Sequence, residues 1–475
     1  MTFPWPTAPP TAAHRAAFAD AEARPYWLAA LPQRTPEALL EGVTEADLGI
    51  VGGGFTGLWA ALHAKADDPA ADVVVLEADT VGFGASGRNG GFVIGSLTHG
   101  LENGLARFED ELPILERLAH ENFEGFRADL ERRGIDCDFE PTGELVVALE
   151  PHELEWFAEG AELLDRFGHV HELFDREAMQ AEIASPTYLG GIWDKTDAGL
   201  LDPGKLAAGL ADAARAAGVR IHEHTRATAL DDTGTRVAVR TPEGAVLARR
   251  VLLATSAYPP LLRSIRRYVA PIYDYALMTE PLTREQKAAI GWRRRQGLSD
   301  GANQFHYYRL SADDRILWGG YDAVYRYGGP VGPHLDDDEA TFAMLSQHFF
   351  TTFPQLEGIR FTHRWGGAID TCSRFSVFFG TAHGGRVAYA VGYTGLGVAA
   401  SRFGARVALD LLAARETEAT RLRYVRSRPV PFPPEPLRSG VIQLTRKRLA
   451  AADRNRGRRG LWLRTLDRLG LGFDS

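Results

Sequence analysis

Residues 48–91 read LGIVGGGFTGLWAALHAKADDPAADVVVLEADTVGFGASGRNGG, and this stretch restricts the fold more than any other. The apolar run 48–51 predicts a buried strand, Gly52-Gly53-Gly54 a turn, and 56–65 a helix. The run 73–76 predicts a second buried strand ending on Glu77. Gly52, Gly54 and Gly57 form G-x-G-x-x-G in the strand–turn–helix setting where that spacing binds a dinucleotide. Gly52 permits the tight turn, Gly54 lets backbone approach a pyrophosphate, and Gly57 lets the helix lie close on the strand. Phe55 precedes the helix and Thr56 opens it, and the helix's first N–H groups and partial positive charge face the phosphates. Glu77 follows Gly57 by twenty residues, a separation at which an acid accepts from ribose hydroxyls.

In a nicotinamide enzyme the second strand leads on to further alternating strands and helices. Here it runs into Gly82-Phe83-Gly84-Ala85-Ser86-Gly87-Arg88-Asn89-Gly90-Gly91. That loop is too poor in side-chain bulk for a packed element. It suits backbone lying against a large flat ligand, with Ser86, Arg88 and Asn89 as donors. The stretch resembles the FAD-binding amine and amino-acid oxidoreductases of the D-amino-acid oxidase and glycine oxidase superfamily. Its GASGRNGG form is most similar to the γ-glutamylputrescine oxidase branch, and the likeness extends over about residues 45–415.

The resemblance implies an α/β fold: a Rossmann-like FAD domain of the glutathione-reductase type, interleaved with an antiparallel-sheet α+β substrate domain. The FAD domain is expected at 47–100, 201–260 and 366–417, and the substrate domain at 101–200 and 261–365. An N-terminal extension (1–46) and a basic C-terminal extension (418–475) flank them. Ala227 is expected beside the adenine, and Thr255 in a turn under the flavin. The run 386–391 predicts a third buried strand, followed by Gly392-Tyr393-Thr394-Gly395-Leu396-Gly397 and a helix over 398–412. A second strand–glycine–helix junction brings a helix N-terminus to the flavin in this superfamily. Gly392, Thr394, Gly395 and Gly397 are therefore expected cofactor contacts. The FAD is expected to be dissociable, because Cys372 lies five residues from where relatives tether it.

Between the glycine junctions the pattern predicts helices over 101–135 and 151–183, separated by strand–turn–strand over 137–149. Alternating aromatic strands follow over 272–278, 303–310 and 315–321. Alternation puts Phe305, Tyr307 and Arg309 on one face and His306 and Tyr308 on the other. Tyr307 falls where relatives place a tyrosine facing substrate, and His306 is a second candidate. Relatives acting on α-amino acids carry a carboxylate-binding arginine where this chain has Ile369. An aliphatic side chain cannot pair with a carboxylate, and the neighbouring Asp370 would favour a cationic amine. The expected reaction is FAD-dependent oxidation of a primary or secondary amine, such as a γ-glutamylputrescine-like or other polyamine-type substrate, with oxygen or another electron acceptor. An α-amino or imino acid oxidase anchored by Arg309 or Arg374 is the alternative. An NAD-dependent dehydrogenase and a non-catalytic flavoprotein are readings from other classes.

The two cysteines, Cys137 and Cys372, form no C-x-x-C, which argues against a disulfide framework or a thiolate metal site. With no signal pattern and no apolar run of about 18 residues, a cytoplasmic location is expected. Residues 421–475 hold fourteen Arg or Lys against four acids, leaving the remainder at −19. Without interleaved aromatic platforms this does not read as a nucleic-acid surface. The tail is expected to run extended over 429–436 and then form two amphipathic helices. Docking on the chain's own acidic body is the leading reading, ahead of a homodimer contact and, last, a membrane surface.

Overall fold

The computed structural model describes residues 4–472. The two apolar runs pair in parallel: Gly42–Val51 lies beside Val73–Leu76, with Leu48 opposite Val73. They form the middle of an eight-stranded sheet. Arg220–His222 extends it on one side and Gly244–Leu253 on the other, both in parallel. Val387–Val391 adds in parallel to the far half of Gly244–Leu253, with Val251 opposite Val387. Every residue of Val73–Leu76 and Val387–Val391 is buried, as strands covered on both faces must be. Helices Phe55–Asp67, Pro203–Ala216 and Ala400–Leu412 join one apolar core with this sheet.

A second sheet of nine strands stands against the first. Its order is Glu22–Ala23, Phe361–Thr371, Ala270–Thr279, Ile316–Gly320, His306–Leu310, Gly297–Asp300, Glu144–Ala148, Gly190–Asp194 and His171–Phe174. Most neighbours are antiparallel, but Glu22–Ala23 pairs in parallel with Phe361–Thr371 and Gly297–Asp300 with Glu144–Ala148. Phe361–Thr371 runs across residue 366, where a return to the FAD domain was expected, so that its last residues stay in this sheet.

Several elements differ from expectation for local reasons. The helix over 151–183 is interrupted: Pro151–Arg166 ends before Gly168, which sits at φ +77°. His171–Phe174 then joins the sheet before helix Arg176–Glu182. Of residues 137–149 only Glu144–Ala148 is a strand. The strand expected from residue 303 begins at His306, because the N–H groups of Asn303 and Gln304 donate instead to the Asp453 carboxylate, at 3.0 and 3.1 Å.

The N-terminal extension is anchored by tryptophans. Trp27 is 1% exposed and donates its indole N–H to the Asn89 carbonyl at 2.9 Å. At the other end the tail forms helices Leu437–Asp453 and Leu461–Arg468 and docks on its own chain, as the leading reading of that segment had it. No helix among the described residues is long and apolar enough to cross a membrane.

Candidate active site

A cavity of about 1030 Å³ opens between the two sheets, at the top of the range for small-molecule sites. On the first sheet it begins at the Gly52–Gly54 turn. Gly52 adopts φ +111°, and a Cβ there would strike the Ala254 carbonyl. A Cβ on Gly57 would strike the Gly52 carbonyl, so the helix rests directly on the turn. Gly57 itself does not line the cavity; Gly52, Gly54, Phe55 and Thr56 do. A Cβ on Gly54 would come within 2.7 Å of the Ser86 hydroxyl. Glu77 faces the cavity from the end of its strand, with one carboxylate oxygen accepting the Gly53 N–H at 2.7 Å and the other the Asp79 N–H at 2.9 Å. Burial raises its pKa against the pull of those donors. Ala227 and Thr255 also line this side.

The glycine-rich loop is used differently from expectation. Ala85, Ser86, Arg88, Asn89 and Gly90 line the cavity, but the polar side chains are spent on holding the loop. The Ser86 hydroxyl accepts the Phe55 N–H at 2.9 Å. Arg88 donates to the Phe83 carbonyl at 2.7 Å and pairs with Asp336. The Asn89 amide donates to the Ala85 and Ser86 carbonyls, and its oxygen accepts the Gly91 N–H at 2.8 Å. What the loop offers a ligand is therefore mainly backbone. Gly91 lies outside the cavity wall; at φ +78° it makes room for the Leu201 carbonyl and the Arg309 guanidinium.

The second junction is organised by Asp370. This carboxylate is 4% exposed and accepts the Gly392 N–H at 2.7 Å, with the N–H groups of Tyr393 and Thr394 directed at it too. Burial pushes its pKa up to about 6, and these donors oppose the rise. Asp370 lines the cavity as expected, but its carboxylate shapes the turn rather than offering a free charge to a substrate ammonium, which corrects the role expected for it. Gly392, at φ +89°, is packed against Phe378 and Cys372 and lies off the cavity wall. Thr394, Gly395 and Gly397 line it. Thr394 is a β-branched residue at φ +54°, the kind of strained position that surrounding structure must enforce. The helix begins at Ala400, and the Thr56 hydroxyl donates to Tyr393 Oη at 2.9 Å, tying the two junctions together.

On the second sheet Tyr307 faces the cavity, as its strand parity allows. Its hydroxyl donates to Asp274 Oδ2 at 2.7 Å. Gly90 and Gly319 frame the ring: a Cβ on either would come within 2.7 Å of it. Asp274 lines the cavity, and burial pushes its carboxyl up to about 6, while the Tyr307 hydroxyl and the Tyr275 N–H pull it back down. Sequence reasoning missed this acid, although an aspartate inside the aromatic run Tyr273-Asp274-Tyr275 was a usable signal.

His306 requires a correction. It is fully buried on the opposite face, between Asp300 at 2.8 Å and His348 at 3.0 Å, with the Trp5 ring 4.6 Å away. It does not reach the cavity wall, and burial lowers its pKa to about 3. The two alternative carboxylate anchors fail likewise. Arg309 is spent on the Leu201 and Leu310 carbonyls, and Arg374 on those of Tyr424 and Ser376. Neither lines the cavity.

The C-terminal tail supplies a wall that no motif announced. Phe432, Val441, Ile442, Thr445, Arg446 and Leu449 all face the cavity. Arg446 Nε lies 3.0 Å from Asp322 Oδ1, which also faces it. The tail is held by Asp453, and by Glu435, whose carboxylate accepts from Tyr325 at 2.7 Å and from the Gly328 N–H at 3.1 Å.

A turn that excludes Cβ atoms, an acid beyond it and a long cavity closed by a second glycine junction suit a flavin dinucleotide. The family FAD dependent oxidoreductase (DAO) matches residues 47–411. The chain belongs to it. Among curated relatives of this DAO-family chain, γ-glutamylputrescine oxidoreductase of Escherichia coli is 34% identical over 397 residues, covering 82% of this chain and 88% of that one. A probable oxidoreductase, OrdL, of Haemophilus influenzae is 29% identical, covering 78% and 84%. Glycine oxidase from Geobacillus kaustophilus shares the fold, with a TM-score of 0.62 and 20% identity over 79% of this chain and 96% of that one. The DAO-family chain is thus an FAD-dependent oxidoreductase, and the nicotinamide and non-catalytic readings give way. The Gly52–Gly54 turn, the N-terminus of Phe55–Asp67, Glu77, the loop backbone at 85–90 and the 394–397 turn would hold the FAD.

Proposed function

We propose that this enzyme oxidises a C–N bond in a primary or secondary amine of the γ-glutamylputrescine or polyamine type. The products are an imine and then, by hydrolysis, an aldehyde with release of amine or ammonia. The observation that carries this reading is the Asp274–Tyr307 pair on the cavity wall. Bound FAD supplies the two-electron acceptor for the hydride on the carbon beside nitrogen. Asp274, once ionised, draws in the ammonium form and accepts the proton it must shed. The Tyr307 hydroxyl keeps that carboxylate aimed, and the aromatic wall excludes water. The imino-acid alternative loses support because Ile369 lines the cavity while Arg309 and Arg374 are committed elsewhere. The name of one relative, γ-glutamylputrescine oxidoreductase, agrees with an amine substrate. Non-covalent FAD is supported by Cys372, whose thiol is fully buried and donates to the Ser376 and Gly392 carbonyls. Oxygen or another acceptor reoxidises the cofactor, and two free buried thiols support a cytoplasmic site of action.

Anaerobic mixing with a panel of diamines, acylated diamines and imino acids tests the reading. Amines should bleach the flavin absorbance. Bleaching by proline or sarcosine alone would overturn it.

A further inference from the structure

We infer that the Asp322–Arg446 pair is a recognition subsite for an amino-acid head at the far end of the amine. The inference rests on the amine-oxidation reading above. Asp322 follows directly on the strand and turn that carry Tyr307's neighbours Gly319 and Gly320, so it sits on the same wall as the Asp274–Tyr307 pair. Arg446 is carried by helix Leu437–Asp453 of the tail. Both line the cavity, with side chains 18% and 33% exposed. Their contact leaves room for a ligand in chemical terms. Arg446 Nε lies 3.0 Å from Asp322 Oδ1, outside hydrogen-bond geometry, and that buried oxygen has no hydrogen-bond partner among the described residues. Arg446 Nη1 makes only a long 3.3 Å contact with Gln443.

A half-satisfied pair of opposite charges facing a cavity is costly unless a ligand completes it. An α-amino acid head carries both complementary charges on one carbon: its ammonium suits Asp322 and its carboxylate suits the Arg446 fork. Around the pair, Ile442, Leu449 and Tyr321 give an apolar sleeve for a methylene chain. The substrate class this assigns is an alkyl amine with a zwitterionic amino-acid head, oxidised at the end remote from that head. Arg446 lies beyond the family match at 47–411 and Asp322 within it, so half of the subsite comes from a part of the chain outside that match.

The test compares kcat/KM for γ-glutamylputrescine and for N-acetylputrescine, which share the reacting end but differ in the head. The wild type should prefer the γ-glutamyl amine. Arg446→Ala and Asp322→Asn should each raise KM for it by about 10- to 100-fold, the loss of one charge-assisted contact. The preference over the acetyl amine should collapse toward one. An unchanged preference in both variants overturns the subsite. Should Arg446→Ala lose the folded tail, seen as a lowered Tm, Arg446→Lys keeps the charge but not the fork and should still reduce the preference. If the wild type oxidises neither amine, the subsite falls, and the functional reading falls with it only if no other diamine or polyamine bleaches the flavin. If it oxidises both equally, only the subsite falls.

Discussion

Burial of Asp274 moves its proton release from the usual 3.8 up to about 6. Below that pH the carboxyl is neutral, and above it the carboxylate attracts a cation. The kcat/KM for an amine should therefore rise as pH rises through about 6. Asp274→Asn should flatten that limb and lower kcat/KM by about 100-fold. A stopped-flow pH series on both proteins checks this, and an unaltered limb would place the charge elsewhere. The sign for stability is opposite. A carboxyl whose folded pKa is raised contributes most below about pH 4, and that contribution is lost as pH climbs through 6. Asp274 shows where residue-level reading stops. Alternation tells which side chains share a face, but only the partner sheet decides which face meets the cavity. The same parity that put Tyr307 on the wall sent His306 into the core against Trp5, a contact 301 positions distant in sequence.

At the scale of elements, the two glycine junctions were legible because their signals are local. Gly52, Gly54 and Glu77 are specified by a turn and one strand length, and Gly395 and Gly397 by the next turn of the same kind. What joins the junctions was not legible, since Asp370 arrives from the second sheet to gather the N–H groups of 392–394. Asp370→Asn replaces one accepting oxygen with a donor and removes the charge, and each charge-assisted hydrogen bond is worth about 1.5–3 kcal/mol. The variant should keep its far-UV spectrum yet emerge from gel filtration with less than half the wild-type flavin-to-protein ratio. Full flavin retention would mean the turn is held without it. The loop at 85–90 gives the complementary lesson. Its composition announced close backbone approach, but Arg88 and Asn89 proved to be braces, because donors in a glycine-rich loop satisfy the loop first.

For the whole molecule, the tail decides how closed the cavity is. Its charge balance favoured self-docking, but nothing in 429–475 told that it would reach the substrate side. That depends on Asp453 meeting residues 303–304, some 150 positions earlier in the chain. Deleting 429–475 removes the Asp453, Glu435 and Arg446 contacts. It should lower Tm by about 5 °C or more, while leaving the oxidised flavin spectrum recognisable. A truncated protein with wild-type Tm would show that the tail carries no stability. The reach of the cavity wall has another consequence, for the chain as it is made. Its lining runs from Val51 to Leu471, so the site cannot be enclosed until a ribosome has nearly finished. At about 5–20 residues per second, the dinucleotide turn emerges early and waits much of a minute for its roof. A chain cut short near its end would bind cofactor in an open bowl, exposed to solvent and to proteases.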